Sequence, residues 1–126
     1  MIREYFSRIR KQVFEHPSEV NINFDSTATD QDRGFWKAKI TFRNGSELHL
    51  FEYITENNGF NIKKYRYHFQ NSDEETVFRY DNAPHHPEIE THPEHKHEKE
   101  AVKSAEKPEI NQILEEVTNI LMGLEE

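Results

Sequence analysis

Two short segments of alternating aromatic and polar residues constrain the fold more than any other feature. Tyr65, Tyr67 and Phe69 alternate with basic and polar side chains, and Phe78 and Tyr80 do the same after a short polar break. A period of two residues is typical of a β-strand, because successive side chains point to opposite faces of a sheet. The two segments therefore predict an antiparallel hairpin with one aromatic face and one charged face.

The same pattern selects the register of this hairpin. We expect Gln70 to lie opposite Val77, which leaves a loop at residues 72–75. Aromatic side chains then form cross-strand pairs on one face, whereas a slip of one residue mixes the two faces. The expected pairs are Phe69 with Phe78 and Tyr67 with Tyr80 on the aromatic face, and His68 with Arg79 and Arg66 with Asp81 on the charged face.

The remaining segments complete an α+β fold in one domain. Apolar periodicity predicts a helix over residues 1–16, an antiparallel sheet over residues 20–81 and an amphipathic helix over residues 108–124. The dipeptide Asn44-Gly45 is the strongest hairpin signal, because both residues tolerate the positive φ of a type I′ turn. We predict an antiparallel β-meander of about five strands, followed by a His/Pro-rich extended strap and charged linker at residues 82–104.

Two features concern the covering of the sheet. One predicted strand carries Leu48, Leu50 and Ile54 on one side and Phe51 and Tyr53 on the other, so part of the sheet is expected to be covered on both faces. The C-terminal helix has an unbroken apolar stripe. We expect this helix to pack on its own domain, and binding of a partner or formation of a homodimer through it is the alternative.

Composition excludes several classes of protein. The chain has no cysteine, so neither a disulfide framework nor a thiolate zinc site can form. No apolar run approaches the ~20 residues that span a bilayer, and the N-terminus has charges where a signal peptide is apolar. We therefore expect a cytoplasmic protein without a membrane partner.

The distribution of charge bears on nucleic-acid binding. The formal net charge is −8, but residues 82–126 hold 4 basic and 11 acidic side chains, whereas residues 31–81 hold 8 of each. The middle of the chain can therefore still form a local basic patch, which is what phosphate binding requires. The residues that could form it are Lys37, Lys39, Arg43, Lys63, Lys64, Arg66 and Arg79.

Histidines are concentrated where the sheet meets the strap. Six of the eight lie between His68 and His97. Imidazole titrates near neutral pH and can transfer protons, and its neutral form ligates metals. The catalytic candidates are His68, His85, His86, His95, His97, Arg66, Arg79 and Asp81. The substrate-binding candidates are Lys64, Lys96, Tyr67 and Tyr80.

Three interpretations of these histidines stay open. The first is a phosphodiester site without a cofactor, in which one histidine is the base, another is the acid, and arginine or lysine stabilises the phosphate charge. The second is a site for zinc or a similar divalent metal at His85, His86, His95 and His97, with Glu88, although their spacing matches no helical zinc motif. The third is a surface segment whose histidines bind the sheet edge or water.

The same residues carry a resemblance to a known family. The runs YRYH at residues 65–68, FRYDNAPHHPE at residues 78–88 and THPEHKH at residues 91–97 resemble the signature of the TumE-type proteins. The run YDNAPHHPE is long and has an unusual composition, which makes it specific. The upstream runs TFRNGS and FEY also fit, so the resemblance covers roughly residues 34–97.

The resemblance implies a toxin of a type II toxin–antitoxin module. Such a toxin is neutralised by a cognate antitoxin, usually a helix-turn-helix protein, and ribonuclease activity is an extrapolation from other small toxins of this kind. Two features depart from the pattern, namely Glu94, where the family commonly has a histidine, and the acidic C-terminal region. We expect a metal-independent ribonuclease that uses histidine acid–base chemistry on RNA, with a non-catalytic metal-binding or protein-binding module as the alternative.

Overall fold

The computed structural model describes residues 2–15, 21–84, 93–98 and 101–123. These residues form helix α1 (Ile2–Phe14), seven β-strands and helix α2 (Ile110–Leu121). The strands are β1 (Asn21–Ala28), β2 (Arg33–Thr41), β3 (Glu47–Thr55), β4 (Asn61–Gln70), β5 (Thr76–Asp81), β6 (His95–Glu98) and β7 (Ala101–Ser104). The predicted α+β class is confirmed.

The strands form one antiparallel meander in chain order, from β1 to β7. The sheet has seven strands instead of about five, because two segments predicted as strap and linker, residues 95–98 and 101–104, continue the ladder beyond β5. Charged side chains are usual in strands at a sheet edge, so a search for apolar alternation does not find such strands. Residues 85–92 of the predicted strap, which include Pro87, lie outside the described residues.

The β4–β5 hairpin has the predicted register across its two faces. The observed pairs are Phe69 with Phe78, Tyr67 with Tyr80, His68 with Arg79 and Arg66 with Asp81. The prediction was wrong at the turn, where Gln70 pairs with Thr76 instead of Val77. The cause is a shift of register after Phe69, which is the mark of a β-bulge.

The β2–β3 hairpin forms at Asn44-Gly45, as predicted, but its turn is of another kind. The Phe42 N–H donates to Ser46 O at 2.9 Å, and Gly45 has a φ of 87° while Asn44 has a negative φ. A type I′ turn needs a positive φ at both central residues. The loop is therefore longer, with glycine in the left-handed position, and Asn44 Oδ1 accepts the Ser46 N–H at 3.0 Å.

Both helices pack on the same face of the sheet, which we call the helix-covered face. Their buried side chains join alternate residues of β2 to β5 in one core. The buried helix residues are Ile2, Phe6, Ile9, Val13, Ile110, Ile113, Leu114 and Val117. Helix α2 therefore packs on its own domain, as expected. Neither helix of the described residues has the length and apolar character that a membrane span requires.

The opposite face, which we call the open face, has no helix over it among the described residues. It consists of the other alternate residues of the strands, including Lys37, Lys39, His49, Phe51, Tyr53, Lys64, Arg66, His68, Arg79, Asp81, His95 and His97. Phe51 and Tyr53 are only partly buried on this face, whereas Asp81 and His95 are buried. Among the described residues, the open face is therefore buried at Asp81 and His95, on the β5–β6 side, and only partly buried at Phe51 and Tyr53.

A buried carboxylate connects α1 to the sheet. Glu52 of β3 is 0% exposed, and its Oε1 accepts hydrogen bonds from Tyr5 Oη at 2.6 Å and from Trp36 Nε1 at 2.8 Å. Its Oε2 accepts from the Tyr67 hydroxyl, and Lys107 Nζ, just before α2, lies 3.9 Å from the same oxygen. Each oxygen has a donor, which is the condition for burying a charged group at tolerable cost.

We expect Glu52→Ala to lower the free energy of unfolding by about 3–5 kcal/mol, because the substitution leaves buried donors without an acceptor and Lys107 without its carboxylate. Urea denaturation followed by circular dichroism measures the loss. The matched control is Glu47→Ala in the same strand, where ion pairs with partly exposed groups are worth at most about 1 kcal/mol. Equal losses for the two variants would contradict this role of Glu52.

Candidate functional site

Nitrogen-bearing side chains form a continuous row across the open face. Lys39 of β2 pairs with His49 of β3, which pairs with His68 of β4. His68 pairs in turn with Arg79 of β5, and Arg79 with His97 of β6. Directly paired residues of adjacent strands have Cβ atoms about 4.5–5.5 Å apart. The register therefore brings five basic or imidazole side chains from five strands side by side.

A second row lies next to the first, and members of both rows line a groove of about 1100 Å³. The second row consists of Lys37, Phe51, Arg66, Asp81 and His95. The basic residues that line the groove are Lys37, Lys39, Lys63, Lys64, Arg66 and Arg79, and the acidic ones are Asp25 and Asp81. Six of the seven basic residues expected to gather do so, and Arg43 is the exception.

His68 is the imidazole best suited to accept a proton. Its Nε2 lies 2.9 Å from Thr76 Oγ1, and its ring centroid lies 6.2 Å from that of His49. Burial lowers the pKa of His68, and the nearby charges of Arg79, His49 and Arg66 lower it further. The neutral ring therefore predominates at neutral pH, which is the form that a general base needs.

Asp81 organises a second polar cluster on the β5–β6 side of the face. Its Oδ2 accepts from Arg79 Nε at 2.9 Å, and its Oδ1 accepts from the Ala83 N–H at 3.0 Å. His95 Nε2 lies 2.8 Å from Oδ1, and His97 Nε2 lies 3.8 Å from Oδ2. Arg79 Nη2 also lies 3.0 Å from His97 Nε2. The carboxylate thus fixes Arg79 next to His68.

His95 uses both ring nitrogens inside the protein. The residue is 2% exposed, with Nδ1 2.9 Å from Pro93 O and Nε2 2.8 Å from Asp81 Oδ1. Both ring nitrogens are therefore occupied by oxygen partners within the protein. His95 is therefore placed to position Asp81, and neither nitrogen points to a substrate.

The described residues contain one group with metal-ligand spacing. The ligand atoms of Asp81, His95 and His97 all lie within 4.8 Å of one another. One carboxylate and two imidazoles can bind zinc or iron. The fit is poor here, because Arg79 contacts both Asp81 Oδ2 and His97 Nε2, so a fixed cation lies where the charge of a metal ion would be.

The substrate-binding candidates divide between the two faces. Lys64 lines the groove on the open face. Tyr67, Tyr80 and Lys96 lie on the helix-covered face, where Tyr80 Oη donates to Glu116 Oε1 at 2.8 Å and Lys96 Nζ donates to Glu116 Oε2 at 2.8 Å. These contacts join α2 to the sheet. The sheet itself separates the three residues from the groove.

The catalytic candidates are described in part. Arg66, Arg79, Asp81, His68, His95 and His97 all lie on the open face. His85 and His86 lie outside the described residues, as does Glu88 of the metal interpretation. The structure therefore groups the described candidates on one surface, with His68 next to Arg79 in the groove and His95 buried beside it.

His49 and Phe51 line the groove but were absent from the predicted site. His49 lies in the first row, between Lys39 and His68, and Phe51 lies in the second row, between Lys37 and Arg66. The signal that could have found them is the register of the β2–β3 hairpin. A change of one residue in the loop length moves every side chain of β3 to the other face of the sheet. The sequence around Gly45 allows more than one loop length, so the face of His49 and Phe51 could not be predicted.

Comparison with known proteins identifies the family. The chain matches the family model described as Toxin TumE over residues 7–123 of 126. No curated protein and no solved structure gives a significant match. The family match spans the seven strands, α2 and most of α1, and thus includes the whole of the groove. The chain therefore belongs to the TumE toxin family, which implies a cognate antitoxin as its protein partner.

Proposed function

We propose that this toxin is a metal-independent endoribonuclease whose active surface is the open face of the sheet. The observation that carries the proposal is the cross-strand row of His49, His68 and Arg79, which places a neutral imidazole beside a second imidazole and a guanidinium group. Cleavage of a phosphodiester needs proton transfer and stabilisation of negative charge, and these side chains supply both.

His68 and His49 divide the proton transfers between them. His68 Nε2 is bonded to Thr76, so Nδ1 is the atom that takes the proton of an RNA 2′-hydroxyl. The 2′-oxygen attacks the adjacent phosphorus, and the 5′-oxygen leaves with a proton from His49. The His49 ring is held by Glu47, whose Oε1 lies 3.0 Å from His49 Nε2.

Two arginines stabilise the phosphate, and they differ in their contacts within the protein. Arg66 has no carboxylate partner among the described residues, so its guanidinium is available to a phosphate. Arg79 is fixed by Asp81 and His97, and it adds a positive charge next to His68. Asp81 and His95 are positioning residues in this scheme, because Asp81 holds Arg79 and His95 holds Asp81.

Further proposals concern location and partners. The toxin acts in the cytoplasm, where its RNA substrate is, and its antitoxin is a helix-turn-helix protein. A homodimer could form through α2, but the apolar surface that this helix leaves exposed is small. Leu121 and Met122 at the end of the helix are 36% and 66% exposed, while the main apolar stripe is used within the chain.

A metal-dependent function is the second candidate. The specific observation in its favour is the spacing of Asp81, His95 and His97, whose ligand atoms lie within 4.8 Å of one another. The position of Arg79 between them counts against it. The two candidates differ in their response to a chelator, because a metal site loses its function when the ion is removed.

We expect the purified protein to cleave RNA in the presence of EDTA. His68→Gln lowers the rate about 10²–10⁴-fold, because it removes the general base, and Arg66→Ala lowers it as well. The matched control is Arg10→Ala, which removes an exposed arginine from α1. Product formation on a gel and growth of a bacterial host that expresses each variant measure the effect.

Three outcomes of this experiment contradict the proposal. Cleavage that disappears in EDTA and returns with a divalent metal favours the second candidate. A full rate in His68→Gln removes this imidazole from the mechanism. Growth inhibition by the wild-type protein without any cleavage of RNA assigns the toxin another target.

We expect His68 to titrate below the ordinary histidine value of 6.5 when followed by NMR. The unfolded chain then binds a proton at this site at a higher pH than the folded chain does. Stability therefore falls as the pH drops through about 6.5, and His68→Gln makes that fall smaller. A midpoint for His68 at or above 6.5 would contradict its burial among cations.

A further inference from the structure

We infer that the RNA on the open face is bound as a single strand, with one unpaired base stacked on the ring of Phe51. This inference rests on the proposed function, since it names the form of the RNA and the residue that holds it. It also differs from that function, because a duplex could bind the same cations through its phosphates alone.

Phe51 has the position that such a stacking contact requires. It lies in β3, directly between Lys37 of β2 and Arg66 of β4, and it lines the groove. Its ring is only partly buried, and no helix of the described residues covers it. An aromatic ring between two cations, at the centre of a sheet face, offers a flat apolar surface with phosphate-binding groups on both sides.

The cations beside Phe51 are available to a nucleic-acid backbone. Among the described residues, no carboxylate forms an ion pair with Lys37, Lys64 or Arg66, whereas Arg79 is paired with Asp81. The strands of Lys37 and Arg66 lie two strand spacings apart, or about 9–10 Å. The phosphates before and after a base on Phe51 can therefore reach cations on opposite sides of the ring.

The aromatic surface continues beyond Phe51. The ring centroid of Phe35 lies 6.2 Å from that of Phe51, and Tyr53 pairs with Phe35 across the strands. His49, two residues before Phe51 in β3, lies on the other side of it next to His68. A base on Phe51 is therefore adjacent to the imidazoles, while a second base can contact Phe35.

Stacking of this kind distinguishes single strands from duplexes. A base inside a duplex has neighbouring bases on both of its faces, so only an unpaired base can stack on a protein ring. A sheet face with exposed aromatic rings and flanking cations is a common way to hold single-stranded RNA. The charge of the groove also fits RNA, because six basic residues line it against two acidic ones and the RNA backbone carries one negative charge per phosphate.

The test compares a labelled 12-nucleotide RNA with its duplex by fluorescence anisotropy, and both carry 2′-O-methyl groups so that the toxin cannot cleave them during the measurement. We expect the wild-type protein to bind the single strand more tightly than the duplex. Phe51→Ala weakens single-strand binding about tenfold, which corresponds to the loss of one stacked base, and leaves duplex binding unchanged. The matched control is Phe14→Ala, which removes a phenylalanine of α1 that is 42% exposed and affects neither affinity.

A second variant keeps the test valid if Phe51→Ala folds poorly. Trp36 is the single tryptophan of the chain and is 0% exposed, so its fluorescence gives a constant background. Phe51→Trp adds one indole in the groove and preserves a stacking surface. We expect it to bind the single strand within about twofold of wild type, and we expect stacking to quench its added fluorescence.

The possible failures are distinguishable. Unchanged single-strand binding in Phe51→Ala, together with no quenching in Phe51→Trp, overturns the inference and leaves the proposed function intact. Equal or tighter binding of the duplex by wild type does the same. A change of oligomeric state in Phe51→Ala without RNA assigns the ring to a contact between copies. No binding of either RNA at low salt overturns both the inference and the proposed function.

Discussion

The antiparallel register of β3, β4 and β5 determines both the core and the open face. It directs Glu52 and Tyr67 to the helices, and it directs His49, His68 and Arg79 to the open face. Adjacent residues of one strand therefore lie on opposite faces, so that one side chain packs in the core and the next lines the groove. A slip of one residue would place imidazoles beneath the helices and expose the partners of Glu52, so the fold and the site are selected together.

The parts of the fold that the sequence predicted are those where apolar side chains alternate strongly. The aromatic pairs of β4 and β5 and the apolar stripe of α2 have one arrangement that buries them, so pattern alone was sufficient. Strands β6 and β7 consist largely of charged and polar residues, and they become strands because β6 pairs with β5 and β7 pairs with β6. The conformation of the turn at Gly45 could not be predicted, because the same residues fit loops of different length.

The candidate site was predicted in part for the same reasons. The expected register already placed Tyr67 and Tyr80 on the face opposite His68, so their choice as substrate-binding residues conflicted with it. Lys96 could not be assigned a face before β6 was known. The clustered histidines also differ in their structural setting, which composition alone cannot reveal. His95 is enclosed between Pro93 and Asp81 and supports the structure, whereas His68 lines the groove.

NMR mapping of the surface that contacts RNA tests whether the open face is the functional one. Addition of a single-stranded 2′-O-methyl RNA, which the toxin cannot cleave, to labelled protein should shift the ring signals of His49 and His68 and the side-chain signal of Arg66. The indole N–H of Trp36, which is bonded to Glu52 on the helix-covered face, should not move. A shift of this indole signal, with unchanged imidazole signals, would contradict the assignment of function to the open face.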